Sequence, residues 1–309
     1  MCEQRGEVAP LVEQCRVLDN VVVGRRIYRM TLHAPTLAAR VQPGQFIHLR
    51  LVDCAAHILR RPLSVFNADA EAGELQLLYQ VVGEGTAQLS ALDSSACLDA
   101  IGPIGRGWQP PVAARRVLLV GGGVGSAPLH LLAAQLSAGE RGGHAAQLSA
   151  GTSVGAGGRA AASAASPGST VPSSAGAPLP GGPELHIILG AQSADALACQ
   201  PSFSAYAPSE RIHITTDDGS AGRKGFTTEV AQELLAALAF DYVATCGPEP
   251  MQRRIVQLAR AAAVPCEVSL ERRMACGIGA CLSCVVQTTG GQKRACVDGP
   301  VFDAQEVLW

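Results

Sequence analysis

Hydrophobic and polar positions alternate with a period of two through the first part of the chain, in short runs such as "RIYRMTLHAP", "GQFIHLRLV", "LSVFNAD", "ELQLLYQVVG" and "CLDAIGPIG". Side chains that alternate in this way suit strands with one face on a core, and the Gly, Pro and Asp breaks between them suit tight connections. The pattern predicts an antiparallel sheet or small barrel over residues 1–112. From Arg115 the pattern changes. "RRVLLVGGGVG" reads as a buried strand running into glycines, and "APLHLLAAQL" has helical spacing. "ELHIILG", "RIHITT", "FTTEVAQELLAALA", "DYVATCG", "PMQRRIVQLARAAA" and "CEVSL" then alternate strand and helix. That order predicts a doubly wound parallel sheet over 113–265. The remainder, 266–309, is short and cysteine-rich.

Residues 137–183 interrupt the second region with little besides Ala, Gly, Ser, Pro and Thr. Such a stretch buries too little side-chain surface to offset its ordering entropy, so a disordered insertion is expected, with an ordered lid as the alternative. "AAQLSAG" at 133–139 recurs at 145–151, which points to a local duplication that lengthened a loop.

Composition narrows the function classes. With 24 Lys+Arg against 26 Asp+Glu the net charge is −2, so no basic field draws the chain to nucleic acid or to an anionic membrane. The N-terminus lacks the basic start and apolar run of a secretory signal, and no stretch of about 18 apolar residues follows. A cytoplasmic protein is expected. Of its 11 cysteines, Cys276, Cys281, Cys284 and Cys296 fall in one short window. Their spacing, C-x4-C-x2-C-x11-C, agrees in its first three members with the plant-type [2Fe–2S] pattern. Zinc sites more usually pair two C-x2-C knuckles, and disulfide scaffolds spread their cysteines along a short chain. Gly277 and Gly279 suit a loop whose backbone N–H groups approach sulfide.

Other stretches offer nucleotide chemistry. Gly121, Gly122, Gly123 and Gly125 stand where a strand turns into a helix, a place where backbone can approach a pyrophosphate. Ser126 replaces the third spaced glycine of the dinucleotide fingerprint, and a tight turn without ligand is the plain alternative. Cys246 and Gly247, in "TCGPEPM", end a later strand at the side where open parallel sheets bind ligands; a buried structural cysteine is the alternative. Asp217 and Asp218 read as turn formers before ribose acceptors. In "RRPLSVF", Arg61 suits a diphosphate and Ser64 a flavin ring nitrogen, while Gly85 and Thr86 offer donors to phosphate.

Taken in order, "RPLS", "GGGVGSAPL", "CGPEPM" and "SLERRMACGIGACLSCVV…CVDGPVF" resemble the electron-transfer subunits of NAD-dependent (class 1B) dihydroorotate dehydrogenases, within the ferredoxin–NADP reductase superfamily. The resemblance implies an α+β multidomain chain: an FAD-binding antiparallel β-barrel, a doubly wound α/β nucleotide-binding domain and a small C-terminal [2Fe–2S] subdomain. It implies that Arg61, Pro62, Leu63, Ser64, Leu78, Tyr79, Gln80, Gly85 and Thr86 bind FAD, with Ser64 the catalytic contact at the flavin ring. Gly121, Gly122, Gly123, Gly125, Cys246 and Gly247 would receive NAD, and the four cysteines would ligate the cluster. The implied partner is an FMN-containing subunit that oxidises dihydroorotate in pyrimidine (UMP) biosynthesis, in a heterotetramer of two of each. NAD is expected over NADP because "LGAQSADAL" offers Asp195 and no Arg or Lys. The rival enzyme is an FAD/[2Fe–2S] NAD(P)H reductase subunit serving ferredoxin or a hydrogenase; a regulatory iron–sulfur sensor is the rival from another class.

Overall fold

The computed structural model describes residues 9–51, 59–139 and 182–309. Apart from its ends, the insertion expected at 137–183 lies outside the described residues.

The alternating segments close into a barrel of order β1-β2-β5-β4-β3-β6. Its strands are β1 (Leu11–Gly24), β2 (Ile27–His33), β3 (Phe46–Arg50), β4 (Arg61–Asp69), β5 (Glu74–Gln80) and β6 (Cys97–Ile104). Short helices α1 (Pro35–Ala38) and α2 (Glu84–Ser90) follow β2 and β5. Alternation decides which side chains fill the interior. Ile47 and Leu49 of β3 and Leu63 and Val65 of β4 pack with Met30, Leu32, Leu75 and Leu77 inside the barrel. Each such side chain contributes about 1.5–3 kcal/mol by leaving water. The register Phe46↔Ser64, Ile47↔Leu63, His48↔Pro62, Leu49↔Arg61 therefore turns Phe46, His48, Pro62 and Ser64 to the outer face.

The second region forms a seven-stranded sheet of order β10-β9-β8-β7-β11-β12-β15. These are β7 (Arg116–Gly122), β8 (Glu184–Ala191), β9 (Ile212–Thr216), β10 (Arg223–Lys224), β11 (Tyr242–Cys246), β12 (Cys266–Ser269) and β15 (Val301–Asp303). All neighbours pair in parallel except β15, which runs antiparallel to β12. Helices α3 (Ala127–Ser137), α4 (Thr227–Ala237) and α5 (Glu249–Ala261) cover it. Strand order reverses between β7 and β11, which opens a crevice at their carboxyl ends. Between β8 and β9 the crossover consists of three 3-10 turns instead of an α-helix. Residues 270–300 carry the hairpin β13 (Val285–Thr288) and β14 (Gly291–Arg294), while β12 and β15 on either side belong to the large sheet.

Packing ties the barrel to both other regions. The Trp108 indole, buried after β6, donates to the Pro128 carbonyl of α3 at 2.9 Å. His130 of α3 stacks on Phe66 of β4 with ring centroids 4.0 Å apart, and its Nδ1 lies 3.1 Å from the Phe66 carbonyl. Burial lowers the His130 pKa to about 4, so the ring is neutral and donates there. Among the described residues no helix is long and apolar enough to cross a membrane.

Candidate functional site

Along the outer face of β4, Arg61 begins the strand and Ser64 sits half-buried opposite Phe46. A Cβ added at Gly85 would fall 2.2–2.6 Å from the Arg61 guanidinium, so the bare glycine is what admits the arginine beside α2. Sequence reasoning named both residues without seeing that they meet. Leu63 points into the barrel core, leaving its backbone available to a ligand. Leu78 packs with Ile27, Phe66 and Ala127 between barrel and sheet. The Tyr79 phenol is committed elsewhere: it donates to Asn20 Oδ1 at 2.9 Å, the ring stacks on Tyr28, and burial raises its pKa to about 12. Thr86 is likewise engaged. Its hydroxyl accepts from the Val82 and Gly83 amides at 3.0 and 3.2 Å and donates to the Gly83 carbonyl at 3.0 Å.

The crevice at the carboxyl ends of β7 and β11 is a cleft of about 840 Å³. Gly122, Gly123, Gly125 and Gly247 line it from the sheet, and Ile27 and Gln80 from the barrel. Gly121 stands behind them: a Cβ there would lie 3.0 Å from the Ser126 Cα, so it serves the 3-10 turn Gly123–Ser126 that precedes α3. At Gly125 a Cβ would come within 2.6 Å of the Cys246 carbonyl oxygen. The two strand ends thus meet backbone to backbone. Cys246 itself is 2 % exposed, and burial pushes its thiol pKa far up. Its chain neighbour Gly247 provides the cleft wall.

Beside the cleft, the segment "LGAQSADAL" gains a contact from outside its own residues. Asp195 does meet a cation, Arg25 from the turn between β1 and β2. The Arg25 Nε lies 3.4 Å from the Asp195 carboxylate, and its amide donates to the Asp195 carbonyl at 2.6 Å. No signal near Asp195 announced a partner from another domain. Asp217 lines the cleft, whereas Asp218 accepts from the Ser220 amide and hydroxyl at 2.9 and 2.6 Å, as a turn former does.

The four thiols gather where the loop 274–284 meets the β13–β14 hairpin. Cys284 immediately precedes β13 and Cys296 closely follows β14, and the Ala295 amide donates to the Cys284 carbonyl at 3.0 Å. Among the described residues no three metal-ligating side chains converge on one point; Cys281 meets Cys276, and Cys296 meets Cys284. Cys276 Sγ accepts from the Ile278 and Cys281 amides at 3.5 and 3.4 Å. The Ser283 hydroxyl, 3.1 Å away, together with backbone N–H groups and Cys276, lowers the Cys281 pKa to about 6. Cys296 behaves oppositely: burial, then the adjacent Cys284 thiol, raises it to about 12. Four thiols with backbone N–H donors beside them fit a [2Fe–2S] cluster, which Cys276, Cys281, Cys284 and Cys296 would hold. All nine described cysteines are free.

Sequence reasoning missed His48. It lies fully buried on the outer face of β3, and a Cβ added at Gly277 would stand 2.6 Å from its Nδ1. Gly277 has φ +70°, a conformation that side chains resist, and so allows the thiol loop to lie directly on the imidazole.

Comparison with known proteins agrees with this geometry. The family model of the oxidoreductase FAD-binding domain matches residues 10–108, and that of the iron–sulfur cluster binding domain of dihydroorotate dehydrogenase B matches 271–308. The dihydroorotate dehydrogenase B (NAD(+)) electron transfer subunit of Bacillus caldolyticus is 33% identical over 301 residues, covering 96% of this chain and 98% of that one. Its counterpart from Desulforamulus reducens is 34% identical over 304 residues, with the same shares. Among solved structures, an NADH-dependent reduced ferredoxin–NADP oxidoreductase aligns with TM-score 0.73 at 28% identity, covering 98% of this chain and 91% of that one. The ferredoxin reductase of carbazole 1,9a-dioxygenase shares the fold, with TM-score 0.58 at 16% identity over 84% of this chain and 68% of that one. The resemblance, the barrel and the thiol loop lead to one conclusion: the chain belongs to the dihydroorotate dehydrogenase B electron transfer subunits, as an oxidoreductase subunit that binds FAD and a [2Fe–2S] cluster.

Proposed function

We propose that this subunit carries electrons between NAD and a partner subunit that contains FMN and oxidises dihydroorotate, in the synthesis of pyrimidines. The observation that carries the reading is adjacency: the barrel lines the nucleotide cleft with Ile27 and Gln80, and the same barrel sets His48 of β3 against Gly277 of the thiol loop. FAD exchanges electrons in pairs with nicotinamide and singly with an iron–sulfur cluster, so it belongs between the two.

The chain's own residues divide the work. Arg61, admitted by Gly85, holds the flavin diphosphate, and the Ser64 hydroxyl orients the ring; Pro62, Leu63 and Gln80 contribute backbone or edge contacts. Leu78 and Tyr79 support that strand from behind, and Thr86 shapes the α2 turn so that its backbone faces the phosphate. Gly122, Gly123 and Gly125 present amides to the NAD pyrophosphate, and Gly121 and Cys246 keep the two strand ends close while Gly247 faces nicotinamide. Cys276, Cys281, Cys284 and Cys296 ligate the cluster. The exposed side chains of Ile278 and Leu282, in the same loop, face the partner. A cytoplasmic heterotetramer of two of each subunit completes the reading; the word subunit in the relatives' names supports a partner.

The test is reconstitution. The chain purified with the FMN subunit should reduce NAD on addition of dihydroorotate, and neither protein alone should do so. Failure to associate, together with NAD(P)H-driven reduction of a ferredoxin, would favour the rival reductase, a reading supported by the likeness to the ferredoxin–NADP oxidoreductase structure.

A further inference from the structure

His48 is an anomaly by ordinary rules of burial. The residue is 0 % exposed, and neither ring nitrogen has a hydrogen-bond partner among the described residues. An unmade hydrogen bond of this kind costs about 1–3 kcal/mol, and a histidine kept only for packing would be replaced without loss by an apolar ring. The surroundings rule out a charged role. Burial first, then the Arg60 and Arg61 guanidinium groups, lower its pKa to about 4, so the imidazole is neutral and has one N–H to give.

The backbone beneath it is held firmly. Arg60 Nη1 donates to the His48 carbonyl at 3.3 Å and to the Asp99 carbonyl at 2.9 Å, while Nη2 pairs with the Asp99 carboxylate. The ring is wedged between two functional segments. In the sheet its neighbour is Pro62, two residues from Ser64 and next to Arg61. On the other side Nδ1 is the ring atom nearest the place a Cβ at Gly277 would take, and Gly277 follows the ligand Cys276. That loop already directs backbone amides at sulfur, from Ile278 and Cys281. Donors to sulfur stabilise the reduced, more negative state of an iron–sulfur cluster and raise its potential.

We propose that the His48 imidazole donates its N–H to a sulfur of the cluster and thereby sets the cluster's reduction potential relative to the flavin, as a positioning residue shared by the flavin strand and the thiol loop. The inference rests on cluster ligation by Cys276, Cys281, Cys284 and Cys296 and is independent of the partner's identity. Iron and sulfide assays of the parent protein test the ligation separately.

The experiment uses the full chain with its cofactors. Pulsed EPR of the reduced cluster, in protein labelled with 15N-histidine, should show a weak histidine-nitrogen coupling that His48→Phe abolishes. In an EPR-monitored redox titration, His48→Phe should move the cluster to a more negative potential, lowering its reduced fraction several-fold at a fixed poise. His48→Gln, which restores an N–H, should recover part of the shift. Absence of histidine coupling in the labelled parent overturns the proposal whether or not either variant folds, as does an unchanged potential in a folded, cluster-containing His48→Phe protein.

Discussion

Cys246, ending β11, and Cys281, in the thiol loop, both stand beside glycines, yet one thiol is pushed far above the ordinary range and the other down to about 6. The difference lies in what each segment packs against. In the nucleotide cleft, the glycines bring two backbones together and seal Cys246 beneath them, so burial disfavours its thiolate. In the thiol loop, glycines turn the chain around sulfur, and a hydroxyl and amides favour the thiolate of Cys281. The same residue pair, glycine with cysteine, thus builds a support in one region and, on the ligation proposed above, a ligand set in the other.

The strongest way to break this contrast is to remove a ligand. Cys284→Ser should lose the visible cluster absorbance completely while retaining bound FAD; unchanged iron content would contradict its assignment. Next in size is the backbone contact under the cleft. Gly125→Ala drives a methyl to 2.6 Å from the Cys246 carbonyl, and overpacking of this kind costs about 1–3 kcal/mol. NADH affinity should fall by about tenfold, at about 1.4 kcal/mol per factor of ten, with FAD retained. An unaltered dissociation constant from titration of flavin fluorescence would show that the strand ends tolerate separation.

The smallest effect sharpens the comparison from the opposite end of the sheet, away from the cleft. Hydrogen bonds from Arg116 and His186 lower the Glu184 pKa from 4.5 to about 2. A depressed carboxyl stabilises the fold above its unfolded pKa, and that stability is lost as pH falls from 4.5 through 2. Because Glu184 is 30 % exposed, solvent screening reduces the contribution to about 1 kcal/mol. Glu184→Gln should flatten the acid limb of a melting-temperature profile without touching cofactor content. A profile parallel to that of the parent would mean that the ion pair contributes nothing.

Much of the architecture was legible along the chain. The period-two segments became barrel strands, "FTTEVAQELLAALA" became α4, and "DYVATCG" became β11 ending at Cys246. The cleft glycines were also readable, except that Gly121 supports the turn from behind. Three features were not. Thr86 and Tyr79 carry polar groups of the right chemistry, but those groups are consumed by Gly83, Val82 and Asn20. Arg25 reaches Asp195 from a hairpin some 170 residues away in sequence. His48 looked like one scattered histidine among seven.

What the sequence determined by itself was local: which segments alternate, where the chain turns, and which thiols are spaced for a cluster loop. Backbone geometry imposes those periods within a few residues, so the order of side chains is enough to read them. Tertiary structure decided which thiols pair, which cysteine is sealed away, and which ring lies against Gly277. Each of these depends on the docking of elements distant in sequence, where sub-ångström differences in approach settle whether a polar group is free, paired or buried.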